Sequence, residues 1–575
     1  MEKKYGSGPD DAYDVNIEAS PPNDNADFTF AHDGEQLKRG LKSRHLQFLA
    51  LGGAIGTGLF VGSGGILADT GPAPLFMAYI SMSMIVYIVM NVLAEMTVYL
   101  PFRGVTIPYY VSRFVDPSLG FAAGWNYWYA YTMLVAAEAS AAAIVLDYWK
   151  AHVNVAVWIA IVLVVLLGLN LFAAAIFGEA EFIFASIKLI ALFVLCIIGI
   201  VLFFGGGPNQ HHVLGFHYWN DPGAFVEYNA KGATGRFLGY WHAFVKAGMF
   251  DQTFINTHFP YATKSCAIEL TIDLFTGFAF ITSPELIAIA AGEAVSPRRN
   301  LKKAARRFTF RLALFYGVSS LIIGIIVPSN DSRLLGASNA SASPFVIGIQ
   351  NAGIPVLNHI INAVILTSAW SAGNSFLYSA SRVLYSMAIN GQAPKWFAHT
   401  NRLGVPWVAV LFTWAFSLLA FLNVNNSGAT VFNWFVNIST ISGFLAWIVI
   451  MVTYLRFRKA IIFNNLWGEL PYKTPLQPYG TYAALFVISI LTLTNGFQVF
   501  IGDNWNVSDF LAAYITLPIF LVLYIGHKIW KRTSFYIRTS EVDVITGKKE
   551  MDEMEAMDQP PVPKNWLQKV WFWLA

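Results

Sequence analysis

Charged residues are the scarcest class in this sequence. Asp, Glu, Lys and Arg make up 12% of its 575 residues, against about 25% in soluble globular proteins, whereas 56% are hydrophobic. This scarcity excludes an ordinary soluble domain. The apolar residues fall in repeated blocks near the length of about 20 residues that crosses a bilayer. The chain is therefore predicted to be an all-α, polytopic membrane protein.

Cysteine is almost absent. The two cysteines, Cys196 and Cys266, provide neither a disulfide framework nor a spaced set of metal ligands. No soluble segment contains a nucleophile and base pair or a phosphate-binding loop. We therefore expect no enzymatic activity, no cofactor or metal ion and no nucleic-acid partner.

An apolar leader is also missing. The first 36 residues are rich in Asp, Glu, Asn and Pro and lack the apolar core of a signal peptide. Residues 1–45 are predicted to be a disordered cytoplasmic tail, and residues 531–575 a cytoplasmic C-terminal tail. The membrane domain is expected between them, at 46–530.

Twelve apolar blocks have about the length of membrane spans. Polar residues interrupt the sixth block. The blocks lie at 46–67, 75–99, 120–149, 153–177, 182–204, 238–292, 309–328, 356–389, 407–423, 430–455, 482–501 and 511–528. Twelve spans place both termini on the same side of the membrane.

Lys and Arg are concentrated in alternate loops, which predicts the orientation because positive residues near span ends stay cytoplasmic. The concentrated positions are Lys38, Arg39, Lys42, Arg44, Arg103, Arg113, Arg298, Arg299, Lys302, Lys303, Arg306, Arg307, Arg456, Arg458, Lys459, Lys528, Lys531 and Arg532. Both termini are therefore predicted to be cytoplasmic. The cluster at 298–307 is either this topology signal alone or also a site for anionic lipid.

The first predicted span is uncharged but holds seven glycines between residues 46 and 67. A broken helix is tolerated in lipid where its freed backbone groups are buried in protein or line a wet cavity, and many secondary transporters bind substrate at such breaks. Gly52, Gly53, Gly56, Thr57 and Gly58 are therefore candidates for a ligand site. The alternative is that these residues only allow close packing against a neighbouring helix.

Ionisable side chains inside the spans are few, because a charge at the bilayer centre costs about 3 kcal/mol or more. Glu138, Lys188, Lys246 and Glu285 lie within predicted spans. For Glu138 and Lys246, the distance to the headgroups makes snorkelling a poor explanation. These residues are therefore functional candidates.

Several long motifs occur in a fixed order along the chain. They are GAIGTGLFVGSG, Gly71-Pro72, Ala94-Glu95, Pro101, FASIK and SPELIAIAAGEAVSPRRNLKKAARR. Together they resemble fungal amino-acid permeases of the amino acid, polyamine and organocation superfamily, over residues 40 to 535. Within that family, GVTIPYYVSRFVDPSLGFAAGWNYWYAY and the surroundings of Glu138 look most like the proline-specific permeases.

The resemblance implies two five-helix inverted repeats, with spans 1 and 6 broken at the centre and two further helices appended. Backbone amides around Gly53, Gly56, Thr57 and Gly58 would hold a substrate carboxylate, and carbonyls of the broken spans its ammonium. Phe278 and Phe280 would be aromatic gates over the substrate. Ser283 and Trp370 would either line the pocket or only pack. Glu138 and Lys246 would determine specificity, either by pairing with each other or by contacting the substrate.

Lys188, in the FASIK motif, is the candidate for energy coupling. In proton-driven members of the superfamily, a similar lysine in span 5 occupies the place where sodium-driven relatives hold a cation. Burial disfavours the charged form of a lysine, so such a group can bind and release a proton during transport. The alternative is that Lys188 only anchors the cytoplasmic end of span 5.

The resulting expectation is a secondary active transporter that imports amino acids, L-proline foremost, by proton symport. Its partners would be the amino acid, protons and the lipid bilayer, and the family implies the plasma membrane. Three alternatives stay open, namely a broad-specificity permease, an exchanger, and a permease-like sensor that transports little. The short tails favour transport over sensing.

Residues 249–276 interrupt span 6 with 28 residues that include charged side chains. Such an insert would lie at membrane depth beside the expected site, with backbone groups that need partners. We interpret it as a translated intron, because codons at its two ends and at 269–271 can contain a fungal splice donor, acceptor and branch point. A true loop or re-entrant insertion is the alternative. The chain is expected to be inactive if the insert is retained.

Overall fold

The structure is a computed structural model of the full chain. It describes residues 58–248 and 283–558, with gaps at 103, 148, 150–152, 173, 211, 337–342, 355, 425, 502–504 and 535, and also residues 37, 40–42, 44–46, 48–49 and 565–566. Across this described part the regular structure is helical, and the one β-type contact is an isolated bridge between Leu41 and Ala294. The all-α prediction is confirmed.

The α-helices are numbered here in chain order. The first nine are α1 (Ser63–Thr70), α2 (Pro72–Tyr99), α3 (Ile107–Phe114), α4 (Pro117–Asp147), α5 (Val155–Leu171), α6 (Ala174–Phe203), α7 (Gly232–Gly248), α8 (Ser283–Ala290) and α9 (Pro297–Ile326). The rest are α10 (Arg333–Gly336), α11 (Pro344–Asn351), α12 (Leu357–Ile389), α13 (Trp407–Ser417), α14 (Asn426–Phe463), α15 (Tyr479–Leu493), α16 (Val507–Tyr514), α17 (Thr516–Lys531) and α18 (Lys548–Met557).

Several of these helices have the length and composition of membrane spans. Within the described ranges, α2, α6, α12 and the stretch Trp407–Val424, which extends α13 by a 3-10 segment, are long and apolar enough to cross a membrane. Shorter apolar helices are α5, Ala313–Ile326 within α9, and α15. The bounds of α2, α12 and Trp407–Val424 lie within three residues of the predicted blocks, whereas α6 begins eight residues before its block. The sixth span is described only as α7 and α8, because residues 249–282, including the predicted insert, lie outside the described residues.

Two groups of helices meet in this fold. α4 is the centre of one group and contacts α3, α5, α12, α13, α14 and α17. α2 is the centre of the other and contacts α1, α7, α8 and α9. α6 and α14 contact both groups, since α6 touches α9 and α12 while α14 touches α2 and α4. The candidate site lies along this boundary.

Small side chains allow α4 to pack in the middle of its group. Nine of its alanines are buried: Ala122, Ala123, Ala130, Ala136, Ala137, Ala139, Ala141, Ala142 and Ala143. With so little side-chain volume, neighbouring helix backbones can approach closely, which is typical of helix contacts in membranes.

α6 has two chemically different faces. The exposed face is apolar and carries Ile183, Ile187, Ile190, Phe193, Val194 and Ile197. The buried face, at the same three- and four-residue spacing, carries Glu181, Ala185, Lys188, Leu192 and Leu195. An apolar face that points outward suits contact with lipid, whereas Glu181 and Lys188 point into the protein.

Both tails are packed where they approach the helices. Leu37 and Leu41 are buried, so the packed chain begins before the predicted boundary at residue 46. At the other end, Val544 and Met551 are buried, and the Tyr99 hydroxyl donates to the carbonyl of Val544 at 3.0 Å. The C-terminal segment is thus docked on the helices, which its polar composition did not predict.

Candidate functional site

The first span is irregular near the predicted break. A π-helical turn covers Gly58–Gly62 and leads into α1, which has 8 residues. Eight helical residues are about 12 Å long, less than half of a bilayer core of about 30 Å. In span 6, the first described residue beyond the insert is Ser283, from which α8 extends to Ala290. Gly58 is the first residue of this π-helical turn, and the helix changes from π to α between Gly62 and Ser63.

Several predicted site residues lie outside the described residues, so their roles stay predictions. These are Gly52, Gly53, Gly56, Thr57, Phe278 and Phe280. Ser283 is described only as the first residue of α8.

Glu138 is buried on α4 at its contact with α12. A Cβ atom at Gly373 would lie 3.5 Å from the Cβ of Glu138, so this glycine marks where the glutamate meets α12. Trp370 lies three residues earlier on α12 and therefore on the same helix face. Among the described residues, its indole N–H has no acceptor. The structure thus brings two predicted site residues to one helix interface.

Lys188 is completely buried on the inner face of α6. Its ammonium lies within electrostatic reach of two carboxylates, Glu181 on the same helix and Glu138 on α4. A lysine that only anchored a span end would extend along the surface toward the headgroups. The side chain of Lys188 instead lies inside the protein, and its role in coupling stays a prediction.

Glu181 is a buried acid that the sequence-based prediction missed. The Ser371 hydroxyl donates a short hydrogen bond to Oε1, and the Asn374 amide nitrogen lies 3.4 Å from Oε2. Asn170 on α5 in turn donates to Asn374 Oδ1 at 2.8 Å. The predicted span began at residue 182 and so excluded Glu181. Its spacing of seven residues, two helical turns, from Lys188 was the available signal.

Lys246 pairs with Asp69 across α7 and α1. Its Nζ lies 3.2 Å from Asp69 Oδ2, and His242 Nε2 lies 3.5 Å from the same oxygen. The His242 ring stacks on Tyr228 with 4.1 Å between centroids. Lys246 therefore has a different partner from the Glu138 pairing considered from the sequence. Asp69 was missed because it lies beyond the predicted end of span 1 at residue 67.

Glu285 on α8 contacts side chains of α4 and α14. It is buried, the Tyr127 hydroxyl of α4 donates to its Oε1 at 3.4 Å, and it also accepts from Trp447 on α14. The sequence identified Glu285 as an ionisable group within a span, but not these contacts.

The far end of span 6 is closed by a second buried ion pair. Arg382 Nε on α12 donates to Glu293 Oε1 at 2.8 Å, and its guanidinium lies 4.0 Å above the Tyr378 ring. The backbone N–H groups of Gly40 and Leu41 donate to the Glu293 carbonyl at 3.0 and 2.9 Å. The N-terminal segment, span 6 and α12 are therefore tied together at this end.

Comparison with known proteins gives the family. The profile of the amino acid permease family matches residues 45–536 of the chain. The chain belongs to the amino acid permease family. The resemblance inferred from the motifs is confirmed, and the protein is an integral membrane transporter of a small-molecule substrate.

The permease is similar to characterised fungal proteins along nearly its whole length. It is 54% identical over 542 residues to the proline-specific permease of Emericella nidulans, with 93% of each chain covered. It is 48% identical over 563 residues to the proline-specific permease of Saccharomyces cerevisiae, covering 95% of this chain and 84% of that one. A solved nucleobase-cation-symport-1 transporter, Mhp1 in a closed conformation with bromovinylhydantoin bound, matches with 14% identity and a TM-score of 0.47, covering 92% of this chain and 100% of that one.

Proposed function

We propose that this permease imports L-proline by proton symport across the plasma membrane, with both termini cytoplasmic. One observation carries the choice of substrate, namely the 54% identity to a relative named a proline-specific permease over 93% of both chains. The substrate would bind beside Gly58 and the start of α8, where spans 1 and 6 are broken in an inverted-repeat fold. Gly53, Gly56 and Thr57 would face its carboxylate, and Phe278 and Phe280 would close over it.

The charges near the proposed site favour a substrate with an uncharged side chain. Asp69 compensates the charge of Lys246 at 3.2 Å, which disfavours the use of Lys246 to bind an acidic side chain. Glu138 is buried beside the α12 face that carries Trp370, where a carboxylate can accept from the substrate ammonium. Proline carries its two charges on the backbone alone.

The proposed driving ion is the proton, and Lys188 is the proposed coupling residue. The support is the complete burial of this lysine together with its two neighbouring carboxylates, Glu181 and Glu138. Burial disfavours the charged form, so binding and release of a proton can accompany movement of the helices around it.

We also propose that residues 249–276 are a translated intron and that the chain without them is the active carrier. Joining Gly248 to Gly277 would restore one continuous span of ordinary length. The insert would otherwise place charged residues at membrane depth, where each needs a partner.

Uptake of labelled proline tests these proposals. Permease-deficient cells would express two forms, the chain as given and the chain lacking 249–276. Uptake by the shortened form alone, abolished by a protonophore and competed by proline only, is the expected result. Equal uptake by both forms would make the insert a tolerated loop. Competition by many amino acids would indicate a broad-specificity permease. Uptake that needs internal amino acid but no proton gradient would indicate an exchanger. Proline binding without uptake by either form would favour the sensor.

A further inference from the structure

The buried carboxylate of Glu181 has a position that the substrate site does not explain. Glu179, two residues earlier on α6, is a surface group, with 43% of its side chain exposed, and pairs with Arg44. Glu181 is instead completely buried at the interface of α6 with α12. Buried carboxylates in spans are costly and mark functional groups more often than structural ones.

The helix geometry directs Lys188 toward this carboxylate. Seven residues correspond to almost two whole turns, so the two side chains leave the same face of α6 about 10 Å apart along the axis. Helical side chains lean toward the N-terminus of their helix, and Lys188 is the more C-terminal of the two. The long lysine side chain therefore leans toward Glu181, and the two groups interact electrostatically.

The two oxygens of Glu181 are held unequally. Oε1 accepts the short hydrogen bond from the Ser371 hydroxyl, whereas the contact of Oε2 with the Asn374 amide is long, at 3.4 Å. A hydrogen bond from a neutral donor favours the charged carboxylate. Oε2 is thus the less satisfied oxygen and the one that can take up a proton.

Among the described residues, the charges of the cluster do not balance without a proton. Glu138, Glu181 and Lys188 together carry a net charge of −1 when all three are ionised. An amino acid with an uncharged side chain binds as a zwitterion, so it does not change this net charge. A net charge in a region of low dielectric is unfavourable, so one bound proton makes the loaded cluster neutral.

We propose that Glu181 and Lys188 together form the proton-binding site of this permease, with Ser371 and Asn374 holding the carboxylate in place. This inference rests on the proposed proton symport and deepens it. One proton binds Oε2 of Glu181 from one side of the membrane and leaves the same oxygen to the other side, so no other bond forms or breaks. One proton is therefore moved with each zwitterionic substrate.

The groups that face the pair from other helices are known within the described residues. α12 contributes the neutral Ser371, Asn374 and Ser375. α4 contributes Glu138, and the Tyr316 hydroxyl on α9 interacts with that glutamate. Replacing the Glu181 charge alone should therefore alter proton binding while Glu138 stays in place beside α12.

Glu181→Gln tests the assignment, and Glu179→Gln is the matched control on the same helix. Both are assayed in whichever form of the chain takes up proline, at equal surface abundance. Exchange of labelled for unlabelled proline requires no net proton movement, whereas accumulation against a gradient does. We expect Glu181→Gln to keep exchange within about threefold while accumulation and proline-evoked proton uptake disappear. The control should retain all three activities.

Retention of wild-type accumulation and proton uptake by Glu181→Gln would overturn the assignment. A wild-type protein that moves no proton with proline would instead reject the symport itself, which separates the two failures. If Glu181→Gln does not reach the membrane, Ser371→Ala serves as the second test of the assignment. Loss of that hydrogen bond should raise the pH of half-maximal uptake by at least about half a unit, because the charged carboxylate is less stabilised. An unchanged pH profile would also overturn the assignment.

Discussion

Lys246 and Asp69 form a buried ion pair that joins α7 to α1. Their Nζ and Oδ2 atoms are 3.2 Å apart, and their side chains are 8% and 2% exposed. Removal of one partner from such a pair leaves the other charge buried without compensation, whereas removal of both leaves no charge behind.

We therefore expect Asp69→Asn and Lys246→Met each to lower the free energy of unfolding by about 3 to 5 kcal/mol, with much of the loss recovered in the double variant. Thermal unfolding of the purified permease in detergent measures this. Lys231→Met, at an exposed position just before α7, should change little. Losses that simply add in the double variant would contradict the pairing.

The pair of Arg382 with Glu293 leads to a prediction about an Arg to Lys change. Lysine keeps the charge but cannot stack its head on Tyr378, 4.0 Å away, or reproduce the guanidinium geometry. We expect Arg382→Lys to lower the free energy of unfolding by about 1 to 3 kcal/mol and to speed efflux of preloaded proline. Unfolding and efflux assays measure both effects.

The matched control for that change is Arg333→Lys. Arg333 pairs with Asp331 at 2.6 Å, but 41% of its side chain is exposed. Exposed pairs contribute little, so we expect an effect below about 0.5 kcal/mol. Equal behaviour of the two variants would show that the burial of Arg382 has no special consequence.

Docking of the C-terminal segment should depend on pH. Arg113 lies 3.0 Å from Asp543, and Arg298 lies 2.6 and 2.9 Å from Asp552 and Glu555. Burial raises the pKa of these three carboxyl groups, but their basic partners and hydrogen bonds outweigh it, so each pKa lies below its ordinary value. A lowered pKa in the docked state means that docking is fully stabilised above the ordinary pKa of about 4 and weakens as pH falls below it.

A spin label can follow this release. Met557 is exposed and lies at the end of α18, so a nitroxide on Met557→Cys reports the motion of this segment. We expect an immobilised spectrum from about pH 8 to 5 and a growing mobile component below about pH 4. The added change Arg298→Gln should produce mobility already at neutral pH. A spectrum that is mobile at neutral pH without it would contradict the docked arrangement.

Gly71, between α1 and α2, should not tolerate a side chain. Its φ is +92°, and a Cβ there would lie 2.8 Å from the carbonyl oxygen of Ala224 and 3.0 Å from the Val226 nitrogen. Both are backbone atoms, and the Val226 N–H donates to the Thr70 carbonyl at 2.9 Å. Moving this backbone to make room for a Cβ atom would therefore be unfavourable. We expect Gly71→Ala to lower the free energy of unfolding by about 2 to 4 kcal/mol and to reduce uptake.

The variant Gly215→Ala is the control that distinguishes backbone strain from steric conflict at Gly71. The φ of Gly215 is +51°, but nothing lies within 4 Å of the position that a Cβ atom would take, so Gly215→Ala meets only the backbone preference. A cost of about 1 kcal/mol is expected. If both variants lose the same stability in thermal unfolding, the contact of Gly71 with residues 224–226 has no energetic weight.

Much of the candidate site could be found without the structure. A charged residue inside an apolar block is unusual in itself, which made Glu138, Lys188 and Lys246 identifiable from the sequence. Glu181 and Asp69 were missed because both lie at the margins of their blocks, where a charge is ordinary. Only the packing of α6 on α12, and of α1 beside α7, makes these two groups buried.

The sequence by itself determined the class of this protein, the approximate limits of its spans and its family, because apolar block length and motif order are properties of neighbouring residues. The tertiary structure decided the partners. Asp69 meets Lys246, Glu293 meets Arg382, and the polar C-terminal segment docks on Arg113 and Arg298. These contacts join residues up to 430 positions apart, as for Arg113 and Asp543. The local periodicity of the sequence cannot predict contacts between residues so far apart along the chain, because these contacts depend on how whole helices pack.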